Sequence, residues 1–394
     1  MKEGWEYKKL KEVGLTQTGT TPSKQIKAYY GGDIPFIRPA ELNVDQNGGV
    51  QYDSELKLTE EGALKSRVIK ANSVLMCCIG SVGKTGYTLN NVTCNQQINT
   101  LTPYDNYNPR FVYYALISPF FQQEVINIAN SAKATLPIIS KGKWEILSIP
   151  VPPLSEQQSI VDYLDSAFAK IDAMKANAEK ALNEAKALFQ ASLKEMLEPK
   201  EGWEEKTLKD VSVIYGNYGL SVPSAEYNGV RYLRITDITE WGDLNDEKVS
   251  AKLDEEKEQE LLEEGDILFA RTGATVGKTL MYKEAFGKCL FAGYLIRYRI
   301  NKEIVLPKFI FYITHSANYY KWVLENQKAA AQPNISAKLY NEYVLSFPSL
   351  SEQQTIVDTL DSLKFKVDKL QENYNKISQE CDALKQAILR QVFE

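Results

Sequence analysis

The segment Leu154-Ser155-Glu156-Gln157-Gln158-Ser159-Ile160-Val161-Asp162 decides the fold, because it returns 196 residues later as Leu350-Ser351-Glu352-Gln353-Gln354-Thr355-Ile356-Val357-Asp358. A second pair of anchors, Glu3-Gly4-Trp5 and Glu201-Gly202-Trp203, repeats with an offset of 198 residues. Solenoid repeats span only about 20 to 50 residues. The sequence therefore predicts two copies of one whole unit within its 394 residues.

Each predicted unit has two parts of different character. In the first part, short apolar runs such as 74–79 and 266–270 stand between Gly, Asn and Pro clusters, which is typical of strands. Helical patterns lie near 109–129 and 307–327, and the second part of each unit reads as one long helix. We therefore predict an α+β fold, two similar mixed α/β domains joined by two long helices, divided as 1–153, 154–198, 199–349 and 350–394.

Both long helices carry signals for their beginning. Ser155 and Ser351 follow proline-rich turns and are favourable N-cap residues. Gln158 and Gln354, three residues further on, are expected to complete a capping box.

Apolar residues recur along both helices with steps of four and three, which predicts coiled-coil packing. The first pattern is rich in alanine and the second in large residues, so we expect the two helices to pack closely on each other. The alternative is that each amphipathic helix lies on its own domain, although a 40-residue helix is about 60 Å long. The main residues of the predicted seam are Ile160, Leu164, Ile171 and Met174 in the first helix, and Ile356, Leu360, Val367, Leu370, Ile377 and Leu384 in the second.

Composition excludes several classes of protein. The sequence contains no run of about 18 apolar residues, so no membrane span is predicted. The five cysteines form no CxxC pair and the one histidine is His315, so we expect reduced thiols in a cytoplasmic protein and no metal site. His315 itself is expected to be a surface or packing residue. The net charge is −5, but residues 1–153 hold 16 Lys and Arg against 13 Asp and Glu, which leaves DNA binding open.

Two variable domains, each followed by a proline-rich turn, a Ser-Glu-Gln-Gln segment and a long helix, resemble the specificity subunits of Type I restriction–modification systems. The resemblance covers the whole chain. It implies two target-recognition domains, each reading one half of an asymmetric bipartite site in double-stranded DNA. It also implies an antiparallel coiled coil that relates the domains by a pseudo-twofold, sets the gap in the site and docks two modification (methyltransferase) subunits. Chemistry would belong to those partners and to a restriction motor subunit, with S-adenosylmethionine and ATP/Mg bound there and no cofactor bound by this chain.

Two other functions stay open at this point. A self-contained DNA methyltransferase predicts a glycine-rich cofactor motif and an Asn/Asp-Pro-Pro-aromatic tetrapeptide. Residues 149–154 have the prolines without the amide or the aromatic residue. An assembly scaffold with no DNA role is the third reading, and the divergence between the two duplicated domains argues weakly against it.

Two loops, 80–85 and 273–279, resemble phosphate-binding loops. A P-loop needs a glycine five residues before its Gly-Lys pair, where this chain has Cys78 and Thr272, so ATP binding is not expected. The loops still suit contacts from N–H groups and ammonium groups to DNA phosphates, and a tight structural turn is the equal alternative. The candidate residues are Gly80, Ser81, Gly83, Lys84, Thr272, Gly273, Gly277 and Lys278.

Other candidates for DNA contact follow short strands or lie in small polar loops. Arginine suits guanine and amides suit adenine, whereas an ion pair such as Arg38 with Glu41, burial, or a flexible loop are the alternatives. The candidates after strands are Arg38, Glu41, Asn43, Asn95, Gln96, Gln97, Arg234, Asp237, Arg271 and Tyr294. Those in the polar loops are Lys133, Thr135, Lys328, Gln332 and Asn334.

Overall fold

The computed structural model describes residues 4–42, 50–51, 53–131, 136–253, 261–327 and 333–394. The chain forms two compact units, Met1–Glu179 with Asn373–Glu394, and Lys180–Glu372. Each unit therefore takes in part of both long helices. The sequential division into four segments is a different way of partitioning the chain and stays a prediction.

The first unit begins with strands and short helices that alternate along the chain. Its strands are β1 (Glu6–Lys9), β2 (Gly14–Thr18), β3 (Tyr30–Ile37), β4 (Val50–Gln51), β5 (Lys57–Leu58), β6 (Val68–Ile69), β7 (Ser73–Cys77), β8 (Thr85–Thr88), β9 (Val92–Cys94), β10 (Ile98–Pro103) and β11 (Ser148–Val151). Its helices before the long one are α1 (Leu10–Val13), α2 (Glu60–Leu64), α3 (Pro109–Ile117), α4 (Pro119–Ser131) and α5 (Lys141–Trp144). The long helix α6 (Leu154–Leu197) follows.

The second unit has its own strands and helices. Its strands are β12 (Glu204–Thr207), β13 (Ser212–Tyr218), β14 (Ser224–Ala225), β15 (Arg231–Leu233), β16 (Ser250–Ala251), β17 (Ile267–Ala270), β18 (Thr279–Met281), β19 (Cys289–Phe291), β20 (Leu295–Ile300) and β21 (Val344–Phe347). Its helices are α7 (Pro307–Ile313), α8 (Ala317–Asn326) and α9 (Ala337–Asn341), followed by the second long helix, α10 (Leu350–Phe393).

The two units share the core of their sheet topology and differ in the outer strands. In the first unit the strand orders are β1-β11, β2-β10-β7-β8-β4 and β5-β3-β9-β6. In the second they are β12-β21, β13-β20-β17-β18, β14-β16 and β15-β19. The central strands β7, β8, β17 and β18 of the larger sheets are buried along their whole length, and a parallel pair, β3-β9 or β15-β19, accompanies each of these sheets. The predicted duplication and mixed α/β content are confirmed.

The capping prediction for the long helices is wrong. Both helices begin one residue before the serine, because the Pro153 carbonyl already accepts the N–H of Gln157 and the Ser349 carbonyl that of Gln353. The side chains of Gln158 and Gln354 bond the aspartates four residues on, at 2.8 and 2.7 Å, and cap nothing.

Their neighbours Gln157 and Gln353 are buried and connect each helix to its domain. Gln157 accepts the N–H of Asn108 at 2.8 Å and donates to the Pro152 carbonyl at 2.9 Å. Gln353 makes the equivalent bonds to Leu306 and Pro348, both at 2.8 Å.

The two long helices pack antiparallel within each unit. In the first unit, Lys385 of α10 bonds Asp172 of α6 at 2.5 Å, and Lys175 lies 3.5 Å from Asp382. In the second unit, Lys186 donates to Gln371 at 2.7 Å. The predicted packing of the helices on each other is therefore confirmed.

The seam of the packed helices departs from the prediction at alternate positions of α6. Leu164 and Ile171 are buried as predicted, but Met174 is 57% exposed and Ile160 is only partly buried. The buried residues lie one position later, at Val161, Leu182 and Phe189 for example.

The α10 seam was predicted more accurately. Ile356, Leu360 and Val367 are buried, Leu370 and Ile377 are partly buried, and Leu384 is 47% exposed. Alanine at several α6 positions left the phase of the pattern ambiguous, because a small side chain does not mark the packed face.

The core of each unit includes the end of one long helix. Leu389, Val392 and Phe393 of α10 pack in the first unit with Phe111 and Trp5. In the second unit, a matching cluster holds Phe189, Leu193 and Leu197 of α6. The long helices are thus part of the hydrophobic cores as well as partners of each other.

Candidate nucleic-acid interface

The candidate interface begins where parallel strands end. In the first unit Ile37 of β3 pairs with Cys94 of β9, so Arg38 and Asn95 emerge side by side, and the Asn95 N–H donates to the Ile37 carbonyl at 3.2 Å. In the second unit Leu233 of β15 pairs with Phe291 of β19. Arg234 then emerges beside Ala292, whose N–H donates to the Leu233 carbonyl at 2.9 Å. Each unit therefore places an arginine at the same edge.

Arg38 is held by carboxylates in the structure. Its Nη2 lies 2.9 Å from Glu41 Oε1 and 3.3 Å from Glu55 Oε2. The Arg38 N–H also donates to Glu41 at 2.8 Å, so this carboxylate fixes both the backbone and the side chain. Hydrogen bonding to Glu41 raises the pKa of Arg38, which stays charged. The ion pair considered as the alternative is present, and it leaves the Arg38 side chain 39% exposed.

Arg234 repeats this arrangement with a shorter acid. Its Nη2 lies 2.7 Å from Asp237 Oδ1, and its N–H donates to Asp237 Oδ2 at 2.8 Å. The Asp237 side chain is 1% exposed, whereas that of Arg234 is 26% exposed. Asp237 is therefore a buried support, and of these two candidates Arg234 is the one that solvent or a ligand can reach.

The first glycine loop is the turn between β7 and β8. Gly80 and Gly83 have φ of 77° and 91°, the left-handed region that glycine adopts readily. A Cβ at Gly83 would lie 2.3 Å from Oε1 of Gln122, whereas Gly80 faces open space. The Lys84 ammonium donates a hydrogen bond to the carbonyl of Pro39, the residue after Arg38, at 3.1 Å. Ser81 is exposed at the tip. The loop is thus a structural turn that also lies beside the strand ends.

The second glycine loop joins β17 and β18 in the same way. Gly273 and Gly277 have φ of 70° and 87°, and a Cβ at Gly277 would meet Val323 at 2.9 Å. The Gly277 and Lys278 N–H groups donate to the carbonyls of Ala270 and Thr275. These N–H groups are used inside the turn, so only Lys278 and the exposed tip could serve a phosphate.

Arg271 is the centre of a polar and aromatic cluster. Its guanidinium carbon lies 5.1 Å from the Tyr218 ring centroid and 5.7 Å from that of Tyr294. Its Nε donates to the Gly293 carbonyl at 3.0 Å and its Nη1 to Asn334 Oδ1 at 3.3 Å. Asn334 also forms a bridge with Thr272 across the glycine loop.

A cavity of about 720 Å³ lies against this cluster. Arg234, Arg271, Tyr294 and Thr236 line it together with the 220–224 loop. Tyr294 is 56% exposed, so its ring and two guanidinium groups are presented together. Aromatic faces and arginines in one depression can stack on and hydrogen-bond to nucleotides.

In the first unit the corresponding edge carries amides. Asn95 donates to Gln97 Oε1 at 2.9 Å, and Thr21 donates to Gln96 Oε1 at 2.5 Å. Gln96 is exposed, while Asn95 and Gln97 are partly buried. The amide cluster is therefore ordered by internal bonds and keeps an accessible member.

Five of the predicted contact residues lie outside the described part of the chain: Asn43, Lys133, Thr135, Lys328 and Gln332. Sequence reasoning missed Tyr218 and Thr21, which complete the two clusters. Tyr218 ends β13 and is followed by Gly219, whereas Thr21 lies two residues after Gly19, which follows β2. A Cβ at Gly219 would lie 2.2 Å from the Phe291 carbonyl oxygen at the end of β19, and a Cβ at Gly19 would lie 2.2 Å from the Asn95 carbonyl oxygen just after β9. These glycines were the available signal.

No group of three or more His, Cys, Asp or Glu suited to a metal is found among the described residues. His315 packs in the interior, stacked on Trp241 with ring centroids 4.9 Å apart. In that described part, no helix is long and apolar enough to span a membrane.

Comparison with known proteins identifies relatives over the whole chain. The family model for the Type I restriction modification DNA specificity domain matches twice, at residues 2–184 and 200–379. The EcoKI specificity subunit of Escherichia coli strain K12 is 26% identical over 99% of this chain and 89% of its own. The EcoBI specificity subunit of Escherichia coli is 24% identical over 93% of this chain and 76% of its own.

Two solved structures share the fold. A chain from work on complex assembly and conformational transition of the type I R-M system has a TM-score of 0.77, with 20% identity, and the match covers 100% of this chain and 98% of that one. The HsdS subunit from Thermoanaerobacter tengcongensis has a TM-score of 0.57, also with 20% identity, over 100% and 97% of the two chains. Because the family model matches both copies of the duplicated unit and the curated relatives match over nearly the whole chain, the chain belongs to the Type I restriction–modification DNA specificity family.

Proposed function

We propose that this chain is the non-catalytic subunit that reads an asymmetric, bipartite site in double-stranded DNA. The observation that carries the proposal is the strand-end edge of each unit, which has one framework and two different sets of side chains. The first unit presents Arg38 and the 95–97 amides, and the second presents Arg234, Arg271 and Tyr294. Because donors and acceptors on base edges differ between base pairs, two different sets favour two different half-sites.

The proposal includes the partners and excludes chemistry by this chain. The long helices dock two modification subunits, and a restriction motor subunit joins the complex. S-adenosylmethionine and ATP/Mg bind in those partners. The support is family membership, together with the absence of the P-loop glycine at Cys78 and Thr272.

A map of methylated bases tests the proposal. Cells that express this chain with its neighbouring modification gene are compared with cells that lack only this chain. A new asymmetric, two-part motif that depends on the chain is the expected result. A stable complex with no new motif would contradict it.

An assembly scaffold with no DNA role is the second candidate. Binding of the purified complex to duplex DNA at raised salt separates the two functions, because sequence-specific contacts outlast the salt-sensitive phosphate contribution. A scaffold would retain no site preference as salt increases.

A further inference from the structure

The first unit contains a cavity of about 310 Å³ between α3, α4 and the two long helices. Its lining is aromatic and apolar at the base, with Tyr113, Tyr114, Phe168 and Leu389, and its rim carries Lys385 and Gln386. Leu389 and Tyr114 are each 1% exposed, so the base belongs to the core of the unit. The cavity lies among residues that the DNA-reading proposal does not use.

The duplication supplies a second copy of this place for comparison. The correspondence is set by equivalent contacts: Tyr114 bonds Asp165 in the first unit, and Tyr312 bonds Asp361 in the second. The α10 end, Leu384-Lys385-Gln386-Ala387, likewise corresponds to Leu188-Phe189-Gln190-Ala191 of α6.

In the second unit the corresponding place is filled by the indole of Trp241. The indole stacks on His315 at 4.9 Å, contacts Phe189 with centroids 5.2 Å apart, and lies 5.3 Å from the Lys364 ammonium. These three residues correspond to Ile117, Lys385 and Phe168, which all line the cavity of the first unit.

The residues that hold the indole are preserved, with the lysine and the aromatic residue exchanged between corresponding positions of the two long helices. In the second unit Lys364, near the beginning of α10, bonds Asp368 at 2.6 Å, and the aromatic residue, Phe189, lies near the end of α6. In the first unit the lysine is Lys385 of α10, bonded to Asp172, and the aromatic residue is Phe168, whose ring centroid lies 5.5 Å from the ammonium. Asp172 corresponds to Asp368. A ring, a lysine and an aspartate are therefore kept together in both places.

By sequence correspondence, the first half of the chain has no aromatic counterpart of Trp241, because Asp45 stands 196 residues earlier. The stretch that corresponds to the Trp241 loop is Pro39-Ala40-Glu41-Leu42-Asn43-Val44-Asp45-Gln46-Asn47-Gly48-Gly49, which has no aromatic residue. An aromatic cavity beside a positioned ammonium favours a planar ring through dispersion, burial and cation–π attraction.

We propose that this cavity accepts an aromatic side chain, of the tryptophan type, from a protein subunit that assembles with this chain. The Trp241 loop of the second unit shows the geometry that such a partner loop would copy. The existence of an assembled partner rests on the proposed function, whereas the chemistry of the cavity does not.

The first test uses N-acetyl-5-fluoro-L-tryptophanamide and fluorine NMR on the full chain. The wild-type protein is expected to bind one equivalent of this probe. Gln386→Trp places a ring at the cavity rim and should weaken binding about tenfold or more. Gln190→Trp is the matched control, because Trp241 already fills the corresponding place, and it should leave binding unchanged.

Trp241→Ala gives an internal standard, since it should open a second site and raise the stoichiometry from one to two. Binding to Trp241→Ala but not to the wild-type protein would overturn the proposal. Displacement of the probe by adenosine at lower concentrations than by N-acetyl-L-tryptophanamide would overturn it in favour of a nucleoside.

The second test uses the assembled complex with p-benzoyl-L-phenylalanine at position 386 or, as a control, 190. A photo-crosslink from position 386 to a partner segment that contains an aromatic residue is expected. A crosslink to a second copy of this chain, or to a segment without one, would contradict the proposal. The two proposals can fail separately. If the DNA-reading proposal is wrong and the cavity proposal is right, the wild-type chain will show no site-specific DNA binding but will still bind the probe.

Discussion

Arg271 shows how one side chain is prepared for a ligand. Its guanidinium is positioned by the Gly293 carbonyl and Asn334, and two exposed tyrosines lie beside it. Because these contacts hold the side chain before binding, less conformational entropy is lost when DNA binds. Arginine at such a place also provides a planar pair of donors that lysine lacks.

We expect Arg271→Ala to weaken binding to the specific duplex by about 1–3 kcal/mol, roughly 5- to 150-fold, with a smaller loss on unrelated DNA. Arg271→Lys should restore the non-specific part only. Fluorescence anisotropy with both duplexes measures the effect. Lys321→Ala, at an ammonium whose side chain is 76% exposed on α8, is the control. Equal losses on both duplexes would assign Arg271 to phosphate contact.

His315 makes stability depend on pH. Burial lowers the pKa of its imidazole below the ordinary value of 6.5, so the unfolded chain binds the proton more strongly than the folded one. The contribution of neutral His315 to the free energy of unfolding is therefore fully present above about pH 6.5. It decreases as the pH falls, by at most about 1.4 kcal/mol per pH unit. His315→Phe keeps a ring against Trp241 and should reduce the loss between pH 7 and 5, measured by urea denaturation. The same pH slope in both proteins would contradict this.

At the scale of elements, the two glutamines of each Ser-Glu-Gln-Gln segment have different roles. Gln157→Ala leaves the Asn108 N–H and the Pro152 carbonyl without their partner, so we expect a loss of about 1–3 kcal/mol in the free energy of unfolding. Gln158 is exposed, and Gln158→Ala should cost about 0.5 kcal/mol or less. Thermal and urea unfolding compare the two variants, and similar losses would refute the assigned roles.

The seam of α6 gives a second comparison between neighbours. Phe189 is 2% exposed and Leu188 is 59% exposed. Phe189→Ala should cost about 3–5 kcal/mol, because it leaves a cavity in the core, whereas Leu188→Ala should cost about 0.5 kcal/mol or less. Hydrogen exchange of the second unit, monitored over increasing denaturant concentration, measures the loss of stability in both variants. Leu188 lies two heptads after Met174 of the predicted seam, so a larger effect at Leu188 would restore that seam.

Much of the element pattern was readable from the sequence, and the exceptions have physical causes. Repeats and spacing predicted the long helices, since a heptad pattern over 40 residues has few alternatives. The prediction of which face of α6 packs was wrong at several positions, because the alanines gave no preference between adjacent faces. The prediction of where α6 begins was wrong because the carbonyl of Pro153, rather than a serine side chain, accepts the first N–H of the helix. The clusters at the strand ends depend on strand pairing, so local sequence offered only the neighbouring Gly219 and Gly19 as a signal for Tyr218 and Thr21.

At the scale of the whole molecule, the helices serve both the cores and the proposed spacing of half-sites. Inserting one matched heptad in each long helix adds about 10 Å to their length. If they set the gap, the recognised site should widen by about three base pairs at 3.4 Å each. Methylation mapping with the lengthened chain measures the gap, and an unchanged gap would refute the spacing role.

Removing 351–394 would test docking of the modification subunits, but the structure predicts a second effect of such a truncation. Leu389, Val392 and Phe393 belong to the core of the first unit. Deleting 373–394 should therefore increase hydrogen exchange in α3 and α4. Leu384→Ala, at a side chain that is 47% exposed, should leave that exchange unchanged. Unaltered protection after the deletion would contradict this account of the core.

The discontinuous first unit has a consequence for biosynthesis. Met1–Glu179 leaves the ribosome long before Asn373–Glu394, with which it forms one compact unit. At about 5–20 residues per second, the intervening stretch takes roughly 10–40 s to translate. During that interval the nascent chain exposes the apolar surface that Phe393 later covers, so this unit is completed only after Asn373–Glu394 has been synthesised and is exposed to chaperones and proteases until then. The second unit, Lys180–Glu372, is contiguous and can finish folding before the domain synthesised first.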